Sequence, residues 1–251
     1  MIKKINLKNA LSFAWNTFKK NFIYFAGAMI LYWVLFILQM TTFEELQAKL
    51  MWGQNVGGEF LLLLIAGLLQ FLVIISIIKV GLYYLNEKGL DENNKNSDED
   101  NEVETVVIGL DVKIKKLFDS PKALGMIYLH YLIASILFAL IVLQGFMLLI
   151  IPGIYFAIKC IFYMFYIIDE EEDAIKALEN SYYGTNKKEF SILFAIFTLS
   201  AITMTTFLVS AILFALLPEA LAAILFLLGF SIVFIIKLLS LSWIYKNDIA
   251  S

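Results

Sequence analysis

The sequence predicts an all-α fold, a polytopic transmembrane helix bundle of about six spans, with cytoplasmic amphipathic helices leading into the first and the fifth. Three observations predict it. Of the 251 residues, 61% are hydrophobic and only 16% are charged, whereas water-soluble domains run to about 25% charged. The charges are clustered, which leaves uncharged runs about as long as a bilayer is thick. The lysines, finally, fall almost wholly in alternate connections, as they do in membrane proteins of fixed orientation. The whole chain, 1–251, reads as one integral membrane domain.

The first uncharged run begins at Phe22, and a crossing needs about 20 apolar residues, so the first span is placed at 22–40. No short apolar core with a small-residue cleavage pattern precedes it, so no cleavable leader is expected. A second run gives a span at 60–84. From 123 to 168 there is a single charge, Lys159. As one helix that stretch would be about 69 Å long, roughly twice a bilayer. It must turn back, near Gly145 or at Pro152-Gly153, where proline and glycine interrupt a helix most readily. Spans three and four are therefore placed at 122–144 and 149–168. The uncharged run from Phe190 to Leu217 is the fifth, at 190–217, and Pro218-Glu219 marks a short turn into the sixth, at 220–241.

Fifteen of the nineteen lysines lie at the chain ends and in alternate connections. Lys49 lies alone on the other side, and Lys79, Lys159 and Lys237 lie within spans. The positive-inside rule then predicts a cell-membrane protein with both termini cytoplasmic. The stretch 91–104 holds seven acids and one lysine, the composition of a solvated, disordered cytoplasmic loop. Its spacing of Asp91, Asn93 and Glu102 departs from a calcium loop at Lys95 and Asn96.

Two segments share a pattern. Ala10-Leu11, Ala14-Trp15 and Lys19-Lys20-Asn21-Phe22 match Ala177-Leu178, Ser181-Tyr182 and Lys187-Lys188-Glu189-Phe190, with one extra residue before the second lysine pair. Each predicts an amphipathic helix suited to the membrane interface, running into a span. A plain helical extension of the span is the alternative at the first. Leu110, Ile114, Leu117 and Phe118 form a shorter stripe, and Ser120-Pro121 reads as a helix start. The five acids of Asp169–Asp173 suit the first turn of the second amphipathic helix.

Taken together, the basic Ala-Leu-x-x-Ala-Trp-x-x-Phe-Lys-Lys-Asn-Phe opening, Ile151-Pro152-Gly153-Ile154 entering a span, the acidic stretch 169–173, and Ala177-Leu178-x-x-Ser181 before a lysine pair resemble a group of uncharacterised six-helix bacterial and archaeal membrane proteins. The order is also similar to the membrane domain attached to some glycerophosphodiester phosphodiesterases. That resemblance implies a helical membrane bundle and no particular reaction. The phosphodiesterase activity belongs to a separate soluble barrel, for which this chain has no room. The acidic loop 91–104 and the absence of arginine lie outside the family pattern.

Few residues offer chemistry. Lys159 falls near the middle of the fourth predicted span, where a lysine costs about 2.5–3.5 kcal/mol on insertion scales. No Asp or Glu falls inside any predicted span to pair with it. It either faces the bundle interior and meets an anionic ligand or lipid headgroup, or it snorkels to the surface or sits neutral against backbone carbonyls. His130, about two turns into the third span, is either a proton-handling ligand or a helix-bridging histidine. Thr203, Thr205, Thr206 and Ser210 read as backbone-bonding and packing residues. One cysteine and one histidine make a cysteine or histidine metal site unexpected, and no cofactor is expected. No nucleophile motif, phosphate loop or intramembrane carboxylate pair is present. All basic residues are lysine, which argues against a nucleic-acid partner. The expected partners are the lipid bilayer and an anionic lipid, with a homo-oligomer left open. The reading is a non-enzymatic membrane-organising or regulatory bundle. A transporter or lipid-handling protein with an anionic-ligand site near Lys159 is the alternative.

Overall fold

The computed structural model describes residues 5–91 and 121–250. The acidic loop 91–104, apart from Asp91, the stripe at 110–118 and the cap at Ser120 lie outside them. Among the described residues there are nine α-helices and no strand. Six helical stretches are long and apolar enough to cross a membrane: Phe22–Met51, Gly57–Leu85, Gly125–Met147, Ile150–Asp169, Glu189–Leu216 and Leu221–Ile249. Their outward side chains are large and apolar, for example Ile23, Phe190, Phe194, Phe197 and Leu208. A water-soluble monomer rarely exposes such a surface, so this is a multi-pass membrane bundle.

Helix α1 (Leu7–Lys20) starts at Asn6, whose side chain accepts from the Asn9 amide at 3.2 Å. It buries Ala10, Phe13, Ala14, Thr17 and Phe18. That stripe faces the last helix rather than lipid. Helix α2 (Phe22–Met51) follows after Asn21 alone and extends well past the predicted end at 40. The extension, with Glu44, Glu45, Gln47, Ala48 and Lys49, is made largely of good helix formers. It stops at Trp52 and Gly53, the latter at a left-handed φ of 65° that glycine adopts freely. An ion pair from Lys49 to Glu59 ties it to α3 (Gly57–Asp91). Only 52–56 of the predicted 41–59 connection is non-helical.

Helix α4 (Pro121–Leu148) begins on its proline, as expected. The turn back lies neither at Gly145 nor at Pro152-Gly153, but at Leu149, the one non-helical residue before α5 (Ile150–Lys159). Pro152 sits in the first turn of α5, where its missing N–H would have no helical partner anyway. The glycines serve a different purpose. A Cβ on Gly145 would come within 2.8 Å of the Gly153 Cα, so the pair lets α4 and α5 cross backbone to backbone.

The fourth span was expected as one helix and is instead two. Helix α5 ends at Lys159, three residues turn, and α6 (Tyr163–Asp169) resumes. Non-helical backbone at membrane depth survives only where protein encloses it. The fourth span is accordingly the most enclosed, with 44% of its most apolar stretch buried against 11% for the third. Helix α7 (Ala174–Gly184) then packs back on α6, and α8 (Glu189–Leu216) and α9 (Glu219–Ile244) form the last hairpin. A five-residue π-helical turn, Tyr245–Ile249, ends the described chain. Helix α9 is the hub: it packs on α1, α3 and α8. Trp33 on α2 donates to Ser231 on α9 at 2.8 Å. The buried core, including Phe25, Ile78, Phe165, Ile167, Leu239 and Tyr245, joins α2, α3, α6, α9 and the π-helical turn.

Candidate functional site

The break in the fourth span is stitched by α7. Ser181, fully buried, donates its hydroxyl to the Lys159 carbonyl at 3.0 Å and accepts from the Phe162 amide at 3.1 Å. One side chain thus satisfies both ends of the interrupted helix. Thr185, equally buried, donates to the same carbonyl at 3.2 Å. In the paired segment, Ala14 stands where Ser181 stands. The match in sequence therefore carries over in burial, at Ala10 and Ala177 and at Ala14 and Ser181, while the hydroxyl belongs to the second copy alone.

Lys159 is 1% exposed. Its ammonium lies 2.6 Å from the Glu189 carboxylate and donates to the Asn186 side-chain oxygen at 3.4 Å. The rings of Tyr182 and Tyr155 flank it at 5.0 and 5.5 Å, at distances where aromatic faces attract a cation. Lys159 is therefore neither unpaired nor snorkelling; the carboxylate that meets it lies just outside the predicted spans, none of which holds an Asp or Glu. Glu189 is the first residue of α8, just outside the uncharged run from Phe190. Relative to α8 the ammonium sits at the helix start, where a carboxylate is favoured by the helix dipole. The Tyr155 hydroxyl beside Tyr182 pushes that phenol above its ordinary value. The Glu189 side chain keeps 26% of its exposure, and Asn186 and Tyr155 are exposed, so the cage has an open edge. The backbone enters α8 through Lys187 at a φ of 64°, a left-handed conformation that side chains other than glycine adopt reluctantly.

Four of the five acids of 169–173 are held by hydrogen bonds or ion pairs. Asp169 pairs with Lys246 at 2.8 Å. Glu170 accepts from the Tyr245 hydroxyl at 3.3 Å. Glu172 accepts twice from Asn180, at 2.7 and 2.9 Å, and Asp173 caps α7 through the Lys176 amide at 2.9 Å. Lys188 reaches the Asp248 carbonyl. Of the five acids expected in the first turn of α7 only Asp173 serves it, as the cap; Asp169 ends α6, and Asp169 and Glu170 fasten the α6–α7 elbow to the π-helical turn after α9.

His130 is not among the polar and ring contacts of Lys159 given by the described residues. It lies half-buried on α4, and no carboxylate gathers around it among the described residues; no group of three metal-ligating side chains occurs there either. The threonines of α8 bond their own helix: Thr203, Thr205, Thr206 and Ser210 each donate to the carbonyl four residues earlier. Sequence reasoning missed Ser181, Thr185, Asn186 and Glu189. The signal was present in the Ser181-x-x-x-Thr185 spacing, which puts both hydroxyls on one helix face. No family model matches the sequence, and neither a curated protein nor a solved structure matches it.

Proposed function

We propose that this protein is a non-enzymatic membrane bundle that organises or regulates membrane components, with both termini in the cytoplasm of the cell that inserts it. The observation that carries the reading is the ion pair between Lys159 and Glu189. The most unusual charge in the chain is spent on holding helices together. The acids of 169–173 are used the same way. The resemblance to the membrane domain of glycerophosphodiester phosphodiesterases belongs to this proposal, since such a domain needs no reaction of its own.

A second reading, lipid handling, is favoured by one specific observation. The counter-ion of Lys159 sits on a partly exposed turn beside a broken helix, and broken helices beside buried charge are a feature of membrane transport sites. Native mass spectrometry in mild detergent separates the two, with wild type and Lys159→Leu compared. Under the organising reading both variants carry the same scatter of lipids. An anionic lipid or metabolite retained by the wild type and lost from Lys159→Leu moves lipid handling to first place.

A further inference from the structure

One segment closes both the break in the fourth span and the cage around Lys159. Ser181 and Thr185 on α7 bond the broken backbone. Asn186 and Glu189, just beyond, take the ammonium. Among the described residues no other side chain bonds the Phe162 amide or the Lys159 carbonyl. If α7 moved away, a buried amide, a buried carbonyl and a buried ammonium would all lose partners, a combination that membrane interiors do not tolerate without replacement.

The fastening of this cover is uneven. Its inner face (Ala174, Ala177, Leu178 and Ser181) is buried, while Ile175 and Tyr183 face outward. The following turn runs through Lys187 in its left-handed conformation. Side chains other than glycine adopt this conformation reluctantly, so the turn that presents Glu189 is held under strain. The Glu189 carboxylate itself is reachable, at 26% exposure. Lys187 and Lys188 precede it in the chain, and the first amides of α8 favour a negative group there.

We infer that Lys159 is a gated anion site: α7 with Glu189 forms its closed gate, and the phosphate or carboxylate headgroup of an anionic amphiphile exchanges with the Glu189 carboxylate. The inference rests on the lipid-handling reading and adds how that site is regulated. The exchange keeps one negative group on the ammonium throughout, so no charge is left bare in the membrane. Once Glu189 has left, the charged tie between the fourth span and the start of α8 is lost, and only the neutral hydrogen bonds of Ser181 and Thr185 to the backbone and of Asn186 to the ammonium hold the cover.

The protein carries its own reporter. Cys160 is the first residue of the break, 4% exposed, and the chain has no other cysteine. Its rate of alkylation by N-ethylmaleimide, followed by intact mass on the full chain in phosphatidylcholine-containing micelles, reads the gate. Wild type reacts slowly. Glu189→Gln reacts at least about tenfold faster, because removing one member of an enclosed ion pair leaves the other uncompensated. The charge swap Lys159→Glu with Glu189→Lys returns the rate toward wild type, which distinguishes loss of the pair from loss of the fold. Phosphatidylglycerol speeds wild-type alkylation where added phosphatidylcholine does not. The same speeding by inorganic phosphate alone assigns the site to a free anion, and its absence assigns it to a lipid. The inference is overturned if Glu189→Gln reacts at the wild-type rate, or if neither anion changes the wild-type rate. Phosphatidylglycerol that stays on wild type and leaves Lys159→Leu in native mass spectra, yet never alters Cys160 alkylation, preserves lipid handling and removes the gate.

Discussion

Ser181 and Ser240 are both fully buried serines on apolar helices, yet they differ in what their hydroxyls meet. Ser181 bridges an amide and a carbonyl across the break. The Ser240 hydroxyl has no hydrogen-bond partner among the described residues. Ser181→Ala leaves the Phe162 amide buried and unpaired, a loss of about 1–3 kcal/mol. Ser240→Ala removes a buried polar group that makes no bond, so its effect is near zero or slightly stabilising. Thermal melting of the two variants in the same detergent checks the contrast, and equal melting temperatures contradict it. The residue scale is also where the sequence was least legible. Lys159 was visible as an anomaly, because a lysine in an apolar run is costly wherever it sits. Its partner was not, because Glu189 closes the next uncharged run from outside and lies 30 positions away, a pairing that only the fold brings about.

At the scale of elements, the crossing of α4 and α5 depends on two glycines at a single point. A methyl group at Gly145 meets the Gly153 backbone at 2.8 Å and the Pro152 carbonyl carbon at 3.1 Å. Backbone cannot swing aside as a side-chain tip can, so Gly145→Ala forces the helices apart and destabilises by about 1–3 kcal/mol, as overpacking does. Gly27 on α2 is the control: nothing lies within 4 Å of its added Cβ, and alanine there gains up to about 1 kcal/mol of helix propensity. Opposite shifts in the melting temperatures of Gly145→Ala and Gly27→Ala are expected, and a neutral Gly145→Ala shows that the crossing is loose. The spans themselves were legible because an uncharged run of bilayer length has few other uses. The amphipathic stripes of α1 and α7 were legible for a similar reason, since steps of three and four leave one face apolar. The break at Cys160–Phe162 was not legible, because Cys, Ile and Phe carry no turn chemistry. The sequence pointed instead at Pro152-Gly153, which is helical. What interrupts the fourth span is a serine twenty residues later, offering the backbone bonds that the helix gives up.

On the scale of the whole molecule, the connections sort into two ends. At one end lie the 52–56 turn, Leu149 and the Leu217-Pro218 turn. At the other end, the Tyr84 hydroxyl donates to Asn21 at 3.3 Å, Lys246 pairs with Asp169, and Lys188 reaches the Asp248 carbonyl. These contacts gather the starts of α2 and α8 with the ends of α3, α6 and α9. Six crossings bring both termini to that second end. It holds Lys8, Lys19, Lys20, Lys176, Lys187, Lys188 and Lys246, whereas the first end holds Lys49, paired with Glu59. Lysine near a span resists translocation, and acids compensate little, so under the proposed orientation the lysine-rich end is the cytoplasmic one. The measurement uses Cys160→Ser as background, with a single cysteine placed at Gln54 or at Asn16, both exposed. A membrane-impermeant maleimide applied to intact cells should label Gln54→Cys and should reach Asn16→Cys only after permeabilisation. The reverse pattern inverts the molecule in the membrane. Labelling of both sites in intact cells contradicts a single orientation, and with it the use of lysine asymmetry to orient the bundle.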